Sequence, residues 1–448
     1  MYTDLIKPGN HIHFIGIGGV SMSGLAKILN AKGITVTGSD INHSVYTNSL
    51  ERAGIKVDYP HTAKLMRGAD LVVYTAAVKA DNPEMIYADR NGIPKIERAK
   101  LLGVIMKHYS RSVAVSGTHG KTTVTSMLAK IMLDANLDPT VTVGGELEAI
   151  GGNLRIGKSE NFLTEACEYV DSFLNFFPSI SLILNIEEDH LDYFSGIEQI
   201  KRSFRQFASQ TSDLLIVCGD DKNIKSALEG FEPVTFGFSE SCRYRAEDIS
   251  ENGFFTEYTL IKDNEKICTV TLSLKGRHNI KNSLAALACA DALGIDLKSA
   301  SESLNDFKGA KRRLEYKGSK NGFMIYDDYA HHPTEIKATL QAASTMPHNK
   351  IWCIFQPHTY TRTKALLGDF AEALTGAGNI IITDIYAARE KDTGLVTAKD
   401  LAAKIDGSVY ISSFDDIKTY ILANAKHDDI VITMGAGTVS KISDELLK

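Results

Sequence analysis

The sequence predicts an α/β protein of three domains in series: an N-terminal Rossmann-like parallel sheet, a central P-loop ATPase-like mixed sheet, and a C-terminal Rossmann-like domain. Three observations carry this. Apolar runs of strand length alternate with helical periodicity along most of the chain. Glycine-bearing turns stand at three strand-to-helix junctions, 16–19, 117–120 and 435–437. The 448 residues exceed the size at which a single hydrophobic core stops growing. Composition shifts place the domains at 1–107, 108–311 and 312–448.

The first domain opens with an apolar run at 11–17. The turn Gly18-Gly19-Val20-Ser21-Met22-Ser23-Gly24 follows, then a helical pattern through Leu25, Ile28 and Leu29, and a second run at 34–37 ending in Gly38-Ser39-Asp40. This is a βαβ unit, and runs at 71–75 and 93–96 continue the alternation. A dinucleotide fingerprint wants glycines at positions one, three and six. Counting from Gly16, the chain supplies Gly18 but has Ser21 at the sixth place. The hydroxyls of Ser21 and Ser23 still suit a diphosphate at a helix start, so anion binding stands while the dinucleotide case weakens. Asp40 suits a ribose hydroxyl in either reading.

The second domain starts with the stretch that organises the chain, Val113-Ala114-Val115-Ser116-Gly117-Thr118-His119-Gly120-Lys121-Thr122-Thr123. Beyond it Val124, Met127, Leu128, Ile131 and Met132 fall at helical spacing. Gly117 and Gly120 admit backbone N–H groups close to an anion, the helix start adds partial positive charge, Lys121 adds a full one, and Thr122 offers a hydroxyl to Mg²⁺. Val115 stands where the usual consensus has its first glycine, so the loop is shorter. Strand-like runs follow at 162–166, 180–185, 214–217 and 234–236. Three alternating segments across 244–274 suggest antiparallel strands before a helix at 279–292. Two runs end in hard ligands, Thr164-Glu165-Ala166-Cys167-Glu168 and Asn185-Ile186-Glu187-Glu188-Asp189-His190. Carboxylates at strand ends beside Thr122 suit Mg²⁺ next to a triphosphate, the plain alternative being solvated acidic turns.

Lys308-Gly309-Ala310-Lys311-Arg312-Arg313 reads as a hinge into the third domain, with strands near 323–327, 351–355, 379–383, 408–411 and 429–434. Asp327-Asp328-Tyr329-Ala330-His331-His332-Pro333 crowds two acids and two histidines into one loop before a helix. Phe355-Gln356-Pro357-His358-Thr359-Tyr360-Thr361-Arg362-Thr363 repeats that layout, with His358 and Arg362 available to a phosphate or carboxylate. The plain reading of such residues is local capping of backbone donors.

Net charge is −6 without blocks of like charge, so neither nucleic acid nor an anionic membrane surface is favoured as a partner. Six scattered cysteines fit neither a disulfide framework nor a zinc site. No apolar run reaches membrane-spanning length and the N-terminus lacks a signal core, so the cytoplasm is expected.

These stretches, with Gly276-Arg277-His278-Asn279-Ile280-Lys281-Asn282, closely resemble the Mur ligase family from His13 to the C-terminus. The resemblance implies an ATP-dependent acid–amino-acid ligase that uses ATP and Mg²⁺, as a monomer or homodimer. The reaction implied joins L-alanine to the lactyl carboxylate of UDP-N-acetylmuramate, through an acyl phosphate, in building a peptidoglycan precursor. It assigns UDP-sugar to the first domain (Gly18, Gly19, Ser21, Ser39, Asp40, Thr75), ATP to the second and the amino acid to the third. Gly117, Thr118, His119, Gly120, Lys121, Thr122 and Thr123 would cradle the phosphates, Asn279 and Asn282 would face adenine, and Arg313 and Asp328 would reach the nucleotide. Thr122, His190 and either Glu168 or Glu165 would hold Mg²⁺. Lys121, His190, His332, His358 and Arg362 would lie at the reacting groups.

Two departures stand out. Many relatives carry Glu-Ala-Asp-Glu-Ser-Asp where this chain has Glu165-Ala166-Cys167-Glu168-Tyr169-Val170, and Thr359 replaces a second arginine. A family member that joins a tripeptide to the same sugar is the rival, against which Phe355-Gln356-Pro357-His358 argues. An oxidoreductase built on Gly16 and Gly18, or a nucleotide-switched binding protein, are the readings from other classes.

Overall fold

The computed structural model describes residues 2–448 except 76, 192, 253, 254, 389 and 393. Among them the strands form three sheets. In the first, β1 (His11–Ile15), β2 (Thr35–Ser39), β3 (Lys56–Asp58), β4 (Leu71–Tyr74) and β5 (Lys95–Glu97) run parallel in the order β3-β2-β1-β4-β5. Both faces of such a sheet are covered, and Ile12, Phe14 and Ile15 of β1 are fully buried. The order reverses at β1, so the glycine turn that follows it opens at a switch point, where ligands of open α/β sheets sit.

The central sheet holds β6 (Arg111–Ser116), β7 (Thr140–Leu147), β8 (Gly152–Arg155), β9 (Asn161–Ala166), β10 (Ile180–Ile183), β11 (Leu214–Cys218), β12 (Val234–Gly237), β13 (Tyr244–Asn252), β14 (Phe255–Lys262) and β15 (Glu265–Leu272). Their order is β15-β14-β13-β12-β11-β10-β6-β9-β7-β8. β6 lies between β10 and β9, parallel to both, so the phosphate-loop stretch, the 165–168 stretch and the 184–190 stretch all leave the same sheet edge. The sheet is mixed as the sequence suggests, with β13, β14 and β15 antiparallel to one another. The antiparallel pair β7 and β8 at the other edge is additional. Gly144 and Gly145 interrupt the alternation of β7, which is why it does not read as a strand.

The third sheet runs β16 (Glu315–Lys320), β17 (Phe323–Asp328), β21 (Ile430–Met434), β18 (Ile351–Phe355), β19 (Asn379–Ile382), β20 (Val409–Tyr410) in space. All neighbours are parallel except β16, which folds back antiparallel on β17. Polar Glu-Tyr-Lys-Gly-Ser-Lys hides β16 from an apolar-pattern search. The signal for it is Asn321-Gly322, both at positive φ (51° and 87°), the backbone of a tight hairpin turn. Among the described residues no helix is long and apolar enough to cross a membrane.

One continuous apolar cluster runs through the first two sheets and their helices, from Ile12 and Phe14 to Leu284 and Phe307. The helix Arg98–Met106 joins them, burying Leu101, Leu102, Ile105 and Met106 in that cluster. The third sheet instead keeps separate clusters, one centred on Phe355, Phe370 and Met434, the other on Trp352, Ile354 and Val431.

At Gly103 a methyl group would sit 1.9 Å from the carbonyl oxygen of Asn175, so the helix touches the 3-10 helix Tyr169–Asn175 of the central domain backbone to backbone. Gly103→Ala is expected to destabilise the protein by about 1–3 kcal/mol, the scale of overpacking a tight contact, read as a lower urea midpoint. An unchanged midpoint would show that this contact yields freely.

Candidate active site

β6 ends at Ser116 and the chain turns through Gly117 (φ 140°) and Gly120 (φ 86°) into the helix Lys121–Asp134. A methyl group on Gly120 would meet Asn282 Oδ1 at 2.7 Å. No side chain caps this helix, so its first-turn N–H groups face the space a ligand would fill. Asn185, just beyond β10, pins the loop: its Oδ1 accepts from His119 N (2.8 Å), its Nδ2 donates to His119 O (3.0 Å) and its carbonyl accepts from Thr118 N (3.2 Å). Thr118 Oγ1 in turn accepts from Glu187 N at 2.9 Å.

Lys121 folds back across this loop, donating to the carbonyls of Gly117 and Thr118 and pairing with Glu168 Oε2 at 2.9 Å. Burial works against its charge, but Glu168 outweighs burial and holds the ammonium above the ordinary lysine value. Glu168 is 3% exposed, and its other oxygen, Oε1, is buried with no hydrogen-bond partner. Glu165 differs, because its Oε1 accepts from Gly144 N at 2.6 Å and so anchors β7. His190, at φ 54°, packs its ring at a tilt against Tyr169 (4.5 Å between centroids), and burial lowers its pKa, leaving a neutral imidazole. Thr122 faces Gly145 of β7. Among the described residues Glu165, Glu168 and His190 do not converge as tightly as His119, Glu187 and His332, whose ligand-type atoms lie within 4.8 Å of one another.

The 187–190 stretch is also where the third domain meets the central one. Arg362 donates through Nη2 and Nε to Asp189 Oδ1 (2.9 and 3.1 Å), both side chains being about nine-tenths buried. Burial pushes Asp189 up, and Arg362 overrides it, holding the carboxyl well below the carboxylate range. Arg362 Nη1 also donates to His358 Nδ1 (3.2 Å), and His358 stacks on Tyr386. His332 caps the helix Pro333–Ser344 and donates through Nε2 to the carbonyl of Glu188 (3.1 Å), while Thr334 Oγ1 donates to Glu187 Oε2 (2.6 Å). His332 and Arg362 thus meet the loop that carries His190, and His358 is joined to it through Arg362. Asp328 lies elsewhere, lining a cavity between the two domains, and its oxygens accept from Leu314 N (2.6 Å) and Ala330 N (2.7 Å), tying the hinge to β17; burial pushes its carboxyl up to about 6.

His119 stands between the domains. Its Nδ1 lies 3.2 Å from Glu335 Oε1 of the third domain and its Nε2 3.5 Å from Glu187 Oε2, a charge contact without a hydrogen bond. Burial works to lower its pKa, but the carboxylates of Glu187 and Glu335 prevail and raise it to about 9. A cavity of about 1850 Å³ opens here between the two domains. It is lined by His119, Gly120 and Thr123 of the phosphate loop, by Asn279, Asn282, Phe236 and Phe238, and by the hinge and the helix with Glu335 and Ala342. Asn279 Nδ2 donates to Lys275 O (2.8 Å) and Asn282 Nδ2 to Asn279 Oδ1 (3.1 Å). Asparagines, aromatic rings and cationic side chains thus line one cavity, the mixture of apolar surface and a few polar groups that suits a small ligand.

The first-domain residues lie outside this cavity. Gly19 caps the helix Val20–Ala31 with no side-chain bond, leaving an anion-compatible start. The Gly18 amide is already given to Asp40 Oδ2 (2.7 Å), and Ser21 Oγ accepts from Arg98 (3.2 Å). Ser39 is fully buried and donates to Glu84 Oε2 (2.5 Å) in a network with His13 and His61. Thr75 follows β4 and is half-buried. Glu335 is the residue that composition and spacing do not single out, while Asn185 and Asp189 fall in the 185–190 stretch without a role assigned to either.

A glycine turn opening a helix, a buried lysine–glutamate pair and a third domain fastened to the adjoining 187–190 stretch fit an ATP-dependent ligase of the three-domain kind, and the chain belongs to the Mur ligase family. Its middle-domain model matches residues 115–290, its catalytic-domain model 11–110, and its glutamate ligase domain model 312–437. The chain is 51% identical to a UDP-N-acetylmuramate–L-alanine ligase of Acetivibrio thermocellus (98% of this chain, 96% of the relative). It is 52% identical to the protein of that name from Caldanaerobacter subterraneus subsp. tengcongensis (100% and 99%). Among solved structures it is similar to the UDP-N-acetylmuramate-alanine ligase of Thermotoga maritima (TM-score 0.81, 29% identity, 98% of both chains) and to a murein peptide ligase of Psychrobacter arcticus (TM-score 0.70, 28% identity, 98% of both).

The pH dependence of stability follows from His119. Its folded pKa lies above the unfolded value of 6.5, so its contribution is complete below pH 6.5 and is lost as pH rises through about 9. The loss amounts to about 3 kcal/mol. Urea midpoints are expected to fall across this window in the intact protein and to fall less in His119→Gln; parallel curves would contradict the assignment.

Proposed function

We propose that the protein is an ATP-dependent ligase that joins L-alanine to the lactyl carboxylate of UDP-N-acetylmuramate, giving UDP-N-acetylmuramoyl-L-alanine, ADP and phosphate in the cytoplasm. The observation that carries this is the Lys121–Glu168 pair at the phosphate loop, with Arg362 of the third domain fastened to Asp189 one residue from His190. The names and near-complete coverage of the relatives favour L-alanine as the amine over a tripeptide.

A carboxylate does not condense with an amine at useful rates, because its leaving group is oxide. ATP, when bound, supplies the phosphoryl group that makes the carboxylate an acyl phosphate, and Mg²⁺ the charge that balances its oxygens. In our assignment Thr122, His190 and Glu168 hold the metal. Glu168 is preferred over Glu165 because its Oε1 is buried without a partner, a carboxylate oxygen lacking a cation, whereas Glu165 is engaged with Gly144. Lys121 swings from its carbonyls toward the transferring phosphoryl oxygens, and the loop N–H groups hold the rest of the triphosphate. Asn279 and Asn282 face adenine, and Arg313 closes on the nucleotide from the hinge. His332, His358 and Arg362 seat the third domain on the 187–190 loop, excluding water while the amine attacks. The first domain, through Gly19 and Ser21, holds the UDP-sugar.

Phosphate release is expected only when ATP, Mg²⁺, UDP-N-acetylmuramate and an amino acid are all present, with L-alanine the preferred one of the twenty. Release without amino acid would point to a nucleotide switch instead. Lys121→Ala should lower ligation by about 10³-fold or more, the scale of losing a charge at a phosphoryl transition state. Glu168→Ala should weaken Mg²⁺ dependence far more than Glu165→Ala, and the reverse order would exchange their roles.

A further inference from the structure

We infer that Glu335 is a positioning residue for the nucleotide: from the third domain it holds His119 of the phosphate loop and Arg313 of the hinge as a pair of cationic donors facing the cavity between the domains. The inference rests on the ATP reading above and adds to it a residue that none of the assigned roles includes.

Glu335 lies in the first turn of the helix Pro333–Ser344, and its side chain is 13% exposed. Its Oε1 is 3.2 Å from His119 Nδ1 and 3.7 Å from Arg313 Nη1, while Oε2 accepts from His331 N at 3.0 Å and lies 3.2 Å from His331 Nδ1. Three separate segments therefore converge on one carboxylate. Burial would push Glu335 up, and His331, His119 and Arg313 together hold it well below its ordinary value. Burial also brings His331 down to about 4, so at neutral pH the two full charges on Glu335 are those of His119 and Arg313.

A carboxylate beside a triphosphate site is unfavourable by itself, since like charges a few ångströms apart repel. His119 and Arg313 offset the charges of Glu335 and of Glu187 beside His119, and Glu335 fixes where the two cations point. Glu335, His119 and Arg313 all line the cavity, next to Gly120 and Asn282. The second nitrogen of His119, Nε2, is buried without a hydrogen bond, 3.5 Å from Glu187 Oε2. Fixing both donors before the ligand arrives removes their ordering cost from the binding step. Because Glu335 belongs to the third domain, the two donors are held only when that domain is seated, which ties nucleotide affinity to closure.

The test is calorimetric titration of the full-length protein with a non-hydrolysable ATP analogue and Mg²⁺. Glu335→Gln, which keeps the shape and removes the charge, should raise the Kd by about 10-fold, the scale of a charge-assisted contact. In a His119→Gln or Arg313→Gln background the same change should cost markedly less, because its targets are gone. An unchanged Kd in Glu335→Gln, or an effect that multiplies undiminished in both backgrounds, would overturn the inference. If Glu335→Gln does not fold, the pair His119→Gln and Arg313→Gln supplies the second arm: held by one carboxylate, they should lose less together than the product of their separate losses, and independent losses would overturn it. Intact protein that binds no analogue would instead remove the ATP reading itself.

Discussion

A largely buried lysine ammonium, ringed by two carbonyls of its own loop and one carboxylate, is the arrangement on which the rest of the molecule depends. Lys121 stays charged there only because Glu168 stands 2.9 Å away at the end of a neighbouring parallel strand. That demands β6 and β9 side by side, glycines where the loop passes Leu184 and Asn282, and Asn185 to hold the loop in shape. The cost is a carboxylate oxygen with no partner, and a buried orphan of this kind is tolerated where a ligand will satisfy it.

The two domain junctions are built from different physics. The first and second sheets share one apolar cluster through the helix Arg98–Met106, a contact tight enough to exclude a methyl group at Gly103. The third domain keeps its own clusters, and an ion pair and hydrogen bonds fasten it: Arg362 to Asp189, Thr334 to Glu187, His332 to the Glu188 carbonyl. Apolar burial is indifferent to small ligands, whereas hydrogen-bonded and charged contacts can be exchanged for those of a triphosphate and its metal. A catalytic cycle needs one junction that holds and one that opens, and the chain supplies each with suitable chemistry.

How much of this the sequence discloses follows the range of the interactions. The phosphate loop and the helix beyond it are legible because a strand, a glycine turn and an apolar helical face are local patterns; Val124, Met127, Leu128, Ile131 and Met132 are all fully buried. The fold class and the mixed central sheet follow from alternation. β16 and the β7–β8 pair stay hidden, the first because its residues are polar, the second because paired glycines break its period. Resemblance alone assigns Ser39 to the sugar and Asp328 to the nucleotide; what local pattern does not disclose is that Ser39 donates to the buried Glu84 and that Asp328 accepts from two backbone amides. Glu335 hides in the first turn of a helix, where an acid is ordinary, and its partners His119 and Arg313 lie far off in the chain.

The central claim is that the chain spends ATP to place a phosphoryl group on a carboxylate oxygen before the amine arrives. Ligation with UDP-N-acetylmuramate carrying oxygen-18 in both lactyl carboxylate oxygens tests it most directly. One labelled oxygen should leave with each inorganic phosphate released and the other remain in the new amide carbonyl, as mass spectrometry of both products would show. Unlabelled phosphate, or label recovered in a nucleotide monophosphate, would contradict the account.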